Sequence, residues 1–471
     1  MNIAQILLIF LMLFYSVYNL LYFDTNYASL RIFSALPVLL LLMVSSKNLK
    51  SKFSLLNPIN FISLSIFFGT TIRTLWLTSS SFGNNIKKKE ILYNQNADDL
   101  FSPIMYINLF AILFIIGYRF NILKFRNLKI IGNYQYKFNQ IRLDLVLIIS
   151  LTIGFLALSL LLSQVGLSQI GADDISEKRR VFDETGQRNA FSYLRVIISI
   201  VKYSFLLSLA YLASNLKNSK RVITYVLSVL SILFVIIYAI IVSSRTEILF
   251  ILLSSFIIIT ILRGLPIKTI FISSFIFLFI ANSIIQLRGN YKYESSFIEE
   301  IVGNNNLFGV AKTGVIISHT DANQFKLGTT YASWLFAPVP RIIWKDKPTI
   351  NPGLIVRKEI MPTGSINNIG GGVPPGFVAE AYWNFGIIGI MILSFIWGSF
   401  CSSFHKKFIK IFKSANPKNI NPYYLVIYSA FLIELTIKLA GGSFTQFLIN
   451  SFEIILLVWV ISKFNIITIK K

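Results

Sequence analysis

Twelve runs of mostly apolar residues, each close to the length that crosses ~30 Å of hydrocarbon, leave few folds open to this chain. They cover residues 3–23, 29–46, 57–78, 103–121, 143–164, 191–213, 222–242, 247–262, 269–287, 385–404, 422–440 and 445–463. A sequence of 471 residues that is 55% hydrophobic and only 14% charged holds far too much apolar material for a soluble core. The predicted fold class is an all-α polytopic membrane protein with about 12 transmembrane helices. Helices one to nine fall in residues 1–287, a large extracytoplasmic loop in 288–384, and helices ten to twelve in 385–471. The single cysteine, Cys401, excludes an intramolecular disulfide framework and offers no metal cluster. The first run, Ile3 to Phe23, lacks a basic leader and a small-residue cleavage site, so it is read as an uncleaved span.

Charge sets the predicted orientation, because basic residues near helix ends stay on the cytoplasmic side. Alternate connectors carry Lys47, Lys50 and Lys52; Arg119, Lys124, Arg126, Lys129, Lys137 and Arg142; Lys217, Lys220 and Arg221; Arg263 and Lys268; and Lys406, Lys407, Lys410, Lys413 and Lys418. With Lys463, Lys470 and Lys471 of the tail they total 22 basic residues and no acidic one. The opposite connectors are mixed: Asp24 in the first, Lys87 to Lys89 against Glu90, Asp98 and Asp99 in the next, and four basic residues against five acids between Asp173 and Arg188. Both termini are therefore expected in the cytoplasm and the long loop outside it. The net charge of +24 follows from this asymmetry and from attraction to anionic lipid, which argues against a nucleic-acid partner.

Ionisable residues within the runs are the next signal, since each costs ~2.5 to 3.5 kcal/mol on insertion scales and usually faces a cavity or a partner. They are Arg31, Arg73, Arg195, Lys202, Arg245, Glu247, Glu434, Lys438 and Glu453, with Asp144 at an inner margin. Arg31, Arg73, Arg195, Arg245, Lys438 and neighbouring Arg288 all fall towards the outer side. Together they predict a cationic cavity suited to a phosphate or pyrophosphate at headgroup depth; taken singly, each could snorkel to the headgroups. Glu434 and Lys438, four apart on one helix, are better read as an intrahelical ion pair. The SSRTE turn (Ser243 to Glu247) is short enough to make its flanking helices antiparallel neighbours and to fix Arg245 at the surface.

The loop from Arg288 to Asn384 runs for 97 residues with 9 basic and 7 acidic side chains. Long ordered loops are usually functional. Its densest parts read GTTYASWLFAPVPRIIWKDKP (Gly328 to Pro348) and GGGVPPGFVAEAYWNFG (Gly370 to Gly386). Pro338 and Pro340 stiffen the approach to Arg341, in a segment whose aromatic content suggests an interfacial or re-entrant course. Asn351-Pro352 reads as a helix start, and that helix should end near Met361-Pro362. The glycines at 370 to 372 allow close backbone approach or a hinge. Glu380 stands in an apolar, aromatic setting just before span ten, where it serves either as a tuned acid or as a partner for an arginine.

At these residues the chain resembles a family, the Wzy-type O-antigen and oligosaccharide repeat-unit polymerases. The resemblance rests on about twelve spans with one large late outer loop, the SSRTE turn, PRIIWKDKP (Pro340 to Pro348), and the Gly/Pro-rich approach to EAYWNFG (Glu380 to Gly386). In residue detail it covers about 245 to 390. It implies a GT-C-like glycosyltransferase of the bacterial inner membrane. Such an enzyme moves a growing glycan from undecaprenyl diphosphate to the non-reducing end of a lipid-linked repeat unit, with a chain-length regulator protein as a possible partner.

That chemistry releases a lipid diphosphate, whose growing charge nearby arginines would stabilise. Arg245, Arg288 and Arg341 are the leading candidates, with Arg73 and Arg195 behind them. The acceptor hydroxyl needs a general base, for which Glu380 ranks first, Asp346 second and His319 third. Trp334, Trp344, Tyr382 and Trp383 could stack on sugar rings or anchor at the membrane interface. No metal-nucleotide motif or other cofactor signature occurs. The same donor chemistry would serve an O-antigen ligase, and a lipid-linked oligosaccharide flippase would share the span count but hold its charges deep in a central cavity.

Overall fold

The computed structural model describes residues 27–46, 54–78, 100–120, 122, 135–165, 188–214, 222–241, 245–264, 309–339, 343–344, 346–360, 372–414 and 420–470. Among them, ten helices are long and apolar enough to cross a membrane. These are α1 (Ala28–Ser46), α2 (Pro58–Thr78), α3 (Phe101–Phe120), α4 (Gln140–Val165), α5 (Arg188–Ser214), α6 (Val222–Ile241) and α7 (Arg245–Arg263). After two short helices, α8 (Val310–Ala322) and α9 (Pro352–Glu359), come α10 (Phe377–Ser414), α11 (Pro422–Gly441) and α12 (Phe444–Ser462). Each matches an apolar run of the sequence, and the runs at 3–23 and 269–287 lie outside the described residues.

Asn-Pro pairs start three of these helices. Asn57, Asn351 and Asn421 each accept a hydrogen bond from the backbone N–H two residues on, and proline fills the first helical position. There its missing N–H costs nothing. Two helices carry a wider π turn, Phe67–Ile72 in α2 and Glu434–Lys438 in α11.

Helices α3 and α10 touch backbone to backbone. A Cβ added to Gly117 would lie 2.0 Å from the Phe395 carbonyl oxygen, and one added to Gly398 would lie 2.1 Å from that of Phe114. Small residues at such a seam let dispersion contacts form along the whole interface, the main attraction between helices in lipid. Phe110, Phe114, Phe377 and Trp397 fill the space beside it, with Phe377 and Trp397 ring centroids 4.2 Å apart.

The helices alternate so that the basic ends gather. Arg142, at the start of α4, donates to the Asn465 carbonyl beyond α12 at 3.2 Å, and Arg263, at the end of α7, donates to Ala213 at the end of α5 at 2.9 Å. Strand β1 (Gln135–Phe138) pairs antiparallel with β2 (Ile467–Lys470) at the same end. Tyr118 near the end of α3 donates to Asn57 before α2, and Tyr428 of α11 donates to Leu56. Arg119, Arg142, Arg263, Lys406 to Lys413 and Lys463 thus share one end of the bundle.

The long connector differs from the sequence reading in two places. Helix α10 begins at Phe377, eight residues before the expected start of span ten, and it bends at Gly386, whose φ of 63° and ψ of −153° are not helical. Glu380, Tyr382, Trp383 and Asn384 are therefore helical rather than part of a loop; the side-chain polar groups of Glu380, Tyr382 and Asn384 find partners inside the fold. The second difference is α8, a helix within the stretch whose sequence predicts a loop. Its buried Val310, Ala311, Ile316 and Ile317 pack it among the spans. A small separate cluster of Ile316, Val356, Ala379 and Trp383 clamps α8 and α9 to the start of α10. As the sequence predicts, α9 starts at Asn351-Pro352, and it ends at Glu359.

Candidate functional site

At the end of the bundle opposite the basic one, the starts of α3, α10 and α12 meet the connector residues from 309 to 360. Glu380 sits at the centre with no exposed surface. Its Oε1 accepts from the Thr330 hydroxyl at 3.0 Å and its Oε2 from the Phe444 N–H at 2.8 Å. The second contact lies at the first residue of α12, where unpaired N–H groups favour a carboxylate. Asn384, one turn after Glu380, donates to Thr330 Oγ1 at 2.7 Å and accepts from the Gly328 N–H at 3.0 Å. Thr445 closes the circuit by donating to the Thr330 carbonyl at 2.6 Å. Buried polar groups that are all paired make a rigid network.

This arrangement changes the standing of several residues singled out by the sequence. Both Glu380 oxygens are engaged and the side chain is sealed, so an acceptor hydroxyl cannot reach it in this arrangement. Trp383 is 1% exposed and belongs to the cluster that clamps α8 and α9, which makes it core rather than a sugar platform. Tyr382 is also buried, and its hydroxyl donates to Asp321 at 2.6 Å. Trp334 and Trp344 remain outward, at 39% and 37% exposure, with Trp344 packed edge-on against Phe336. Asp346 is exposed beside Lys347, whose ammonium donates to the Val339 and Ala337 carbonyls and ties that turn together. His319 lies half-buried on α8, near Asn323. No hydrogen bond joins Glu380, Asp346 and His319 to one another among the described residues.

The expected arginines divide. Arg73 is buried at 3% exposure, whereas Arg195 is exposed. Arg245 is the first residue of α7, as the short turn requires. Its side chain, and the whole of Arg288 and Arg341, lie outside the described residues. Arg31 is sealed in the fold, where it donates to Thr78 Oγ1 and to the Thr78 carbonyl, both at 2.8 Å, and so ties α1 to the end of α2.

Deeper in the bundle, the cations have anions beside them. Lys202 pairs with Glu247 at 3.0 Å, and Lys438 pairs with Glu434, which also accepts from Asn450 at 3.0 Å. Both ammonium groups face the Phe250 ring, at 4.7 and 4.8 Å from its centroid. Lys202 and Lys438 are thus internally neutralised, and the outer cationic cavity expected from sequence loses Lys438 and Arg31 as free contributors. The i, i+4 ion pair of Glu434 and Lys438 is present as expected, on a π turn rather than a regular helix.

Sequence reasoning passed over two side chains that the fold brings forward. Lys312 of α8 is 1% exposed and donates to the Pro374 carbonyl at 3.0 Å and the Gly441 carbonyl at 2.8 Å. Burial first, and then the Arg73 charge, hold its ammonium well below the usual lysine range. Asp321 stands at the end of α8, beside a cleft of about 340 Å³. Neither belongs to a motif, so only the tertiary fold reveals them.

Fold and site together define a polytopic helical membrane protein with a polar, partly aromatic site at the end of the bundle opposite the cluster of Arg119, Arg142, Arg263, Lys406 to Lys413 and Lys463. Comparison with protein-family models, curated proteins and solved structures finds nothing that matches the chain.

Proposed function

We propose that this chain is a polyprenyl-diphosphate-dependent glycosyltransferase of the bacterial inner membrane, acting as an O-antigen or related repeat-unit polymerase. The observation that carries this reading is the position of the polar site. It lies at the bundle end opposite the cluster of basic connector residues; the positive-inside rule puts that cluster in the cytoplasm and so assigns the site to the outer face, where flipped lipid-linked glycans are found. Its connector is folded onto the spans by paired polar groups, as a site on a rigid scaffold requires.

In this reading Arg245, Arg288 and Arg341 stabilise the departing lipid diphosphate, and Trp334 and Trp344 offer outward aromatic faces to the glycan. Glu380 holds the connector to α10 and α12 rather than taking a proton. The flippase alternative is disfavoured by the deep lysines, because Lys202 and Lys438 already have carboxylate partners.

Deleting the gene and examining the surface glycan by gel tests the proposal. A polymerase mutant retains lipid A-core capped by a single repeat unit and loses every longer rung. A ligase mutant loses all caps while lipid-linked polymer accumulates, and a ladder of normal length would exclude the polymerase.

A further inference from the structure

The cleft between the first turn of α3 and the stretch of α8 from Gly314 to Asp321 is lined by Phe101, Ser102, Pro103, Gly314, Ile317, Ser318 and Asp321. Its volume of about 340 Å³ is that of a small-ligand site. Phe101 turns half its surface outward, at 51% exposure, and both Ser318 and Asp321 are exposed. Asp321 is held in place from behind. Its Oδ1 accepts from the Tyr382 hydroxyl at 2.6 Å, while Oδ2 makes no hydrogen bond among the described residues. Tyr382 is itself fixed, 8% exposed, with its ring 5.1 Å from Tyr106 and 6.3 Å from Phe325.

An aromatic face, two hydroxyls and a fixed carboxylate are the groups that recognise a sugar ring. The C–H face of the ring packs on an aromatic side chain, and a hydroxyl donated to an ionised carboxylate makes a stronger bond than one donated to a neutral acceptor. A crevice that only held acyl chain would pay to desolvate that carboxylate and gain nothing in return. The geometry points to this cleft as a sugar subsite in which Asp321 receives the acceptor hydroxyl. This inference rests on the glycosyltransferase reading and gives it a base that an acceptor can reach. The acceptor oxygen bonds to the anomeric carbon as the bond from that carbon to the diphosphate oxygen breaks. The bonding pair leaves with the lipid diphosphate, and the hydroxyl proton passes to Oδ2 of Asp321. Tyr382 acts as a positioning residue through its donation to Oδ1.

Two experiments test the subsite. Cys401 is the single cysteine and is buried, so Asp321→Cys creates one accessible thiol in the full-length protein. A membrane-impermeant thiosulfonate applied from outside should modify the variant and not the parent. Modification should be several-fold slower in cells that make lipid-linked repeat units than in cells blocked at the first sugar-phosphate transfer. Absence of modification, or a rate indifferent to the glycan, overturns the subsite. In the deletion strain, Asp321→Asn should lower chain growth about a hundred-fold or more, the scale of a lost general base, with protein present at the parental level. Tyr382→Phe should give a milder loss, because the carboxylate remains. If the wild-type gene fails to restore the ladder, the polymerase reading itself falls. If it restores the ladder and Asp321→Asn does so equally, this inference alone is wrong.

Discussion

Replacing Glu380 separates a structural carboxylate from a chemical one. Its two oxygens serve the Thr330 hydroxyl at 3.0 Å and the Phe444 N–H at 2.8 Å, and the side chain is wholly buried. Glu380→Ala strands both donors. Each stranded donor costs about 1 to 3 kcal/mol, and the empty volume adds to this, so a loss of about 3 to 5 kcal/mol is expected. Glu380→Gln keeps one acceptor oxygen for the Phe444 N–H and turns its amide nitrogen toward Thr330 Oγ1, which can accept. The Thr330 O–H then loses its acceptor, so the cost should be about 1 to 3 kcal/mol, below that of alanine. Thermal unfolding of the detergent-solubilised protein, read beside the surface-glycan gel, checks both values. Alanine should lower the midpoint sharply and remove long chains with it, whereas glutamine should keep most of both. A glutamine variant with parental stability and no polymer would refute the structural role and return Glu380 to the chemistry. An alanine variant as stable as the parent would refute the hydrogen-bond argument.

Three further outcomes follow from the fold. Glu247→Ala should cost about 3 kcal/mol by leaving Lys202 buried without its partner, while the double change Lys202→Met with Glu247→Leu should recover most of that loss; a double-mutant cycle on thermal stability measures it. Gly398→Ala should destabilise by about 2 kcal/mol or more, since its methyl group would meet the Phe114 carbonyl at 2.1 Å and force α3 and α10 apart, and a melting curve unchanged from the parent would contradict that seam. Reporters active only outside the cytoplasm should work when fused near Asn305 or Asn367 and stay silent near Lys217 or Lys410, and the reverse pattern would turn the site to the wrong face.

The transmembrane helices were legible because length and hydropathy decide them. Asn-Pro announced α9 correctly, and the same pair begins α2 and α11. Helix α8 was not legible, because its 13 residues are too few for a span and its Lys312 and His319 interrupt the apolar pattern. The start of α10 was hidden for a related reason: Glu380 and Asn384 look like loop residues until the fold supplies Thr330, Phe444 and Gly328 as partners. The sealed core position of Trp383 and the pairing of Asp321 with Tyr382 depend on contacts between separate segments: Trp383 packs with Ile316 and Val356 of α8 and α9, and 61 residues separate Asp321 from Tyr382. No local pattern carries that information. Conversely, Glu434 and Lys438 were readable as a pair because helical spacing alone brings them together.

The most direct test of the central claim is reconstitution. The purified protein in liposomes, supplied only with polyprenyl-diphosphate-linked repeat units, should lengthen the glycan without any nucleotide sugar and release one polyprenyl diphosphate for each linkage made. Recovery of the lipid-linked repeat unit unchanged, from liposomes whose protein still complements the deletion strain when its gene is expressed there and still unfolds at the native midpoint, would contradict the account.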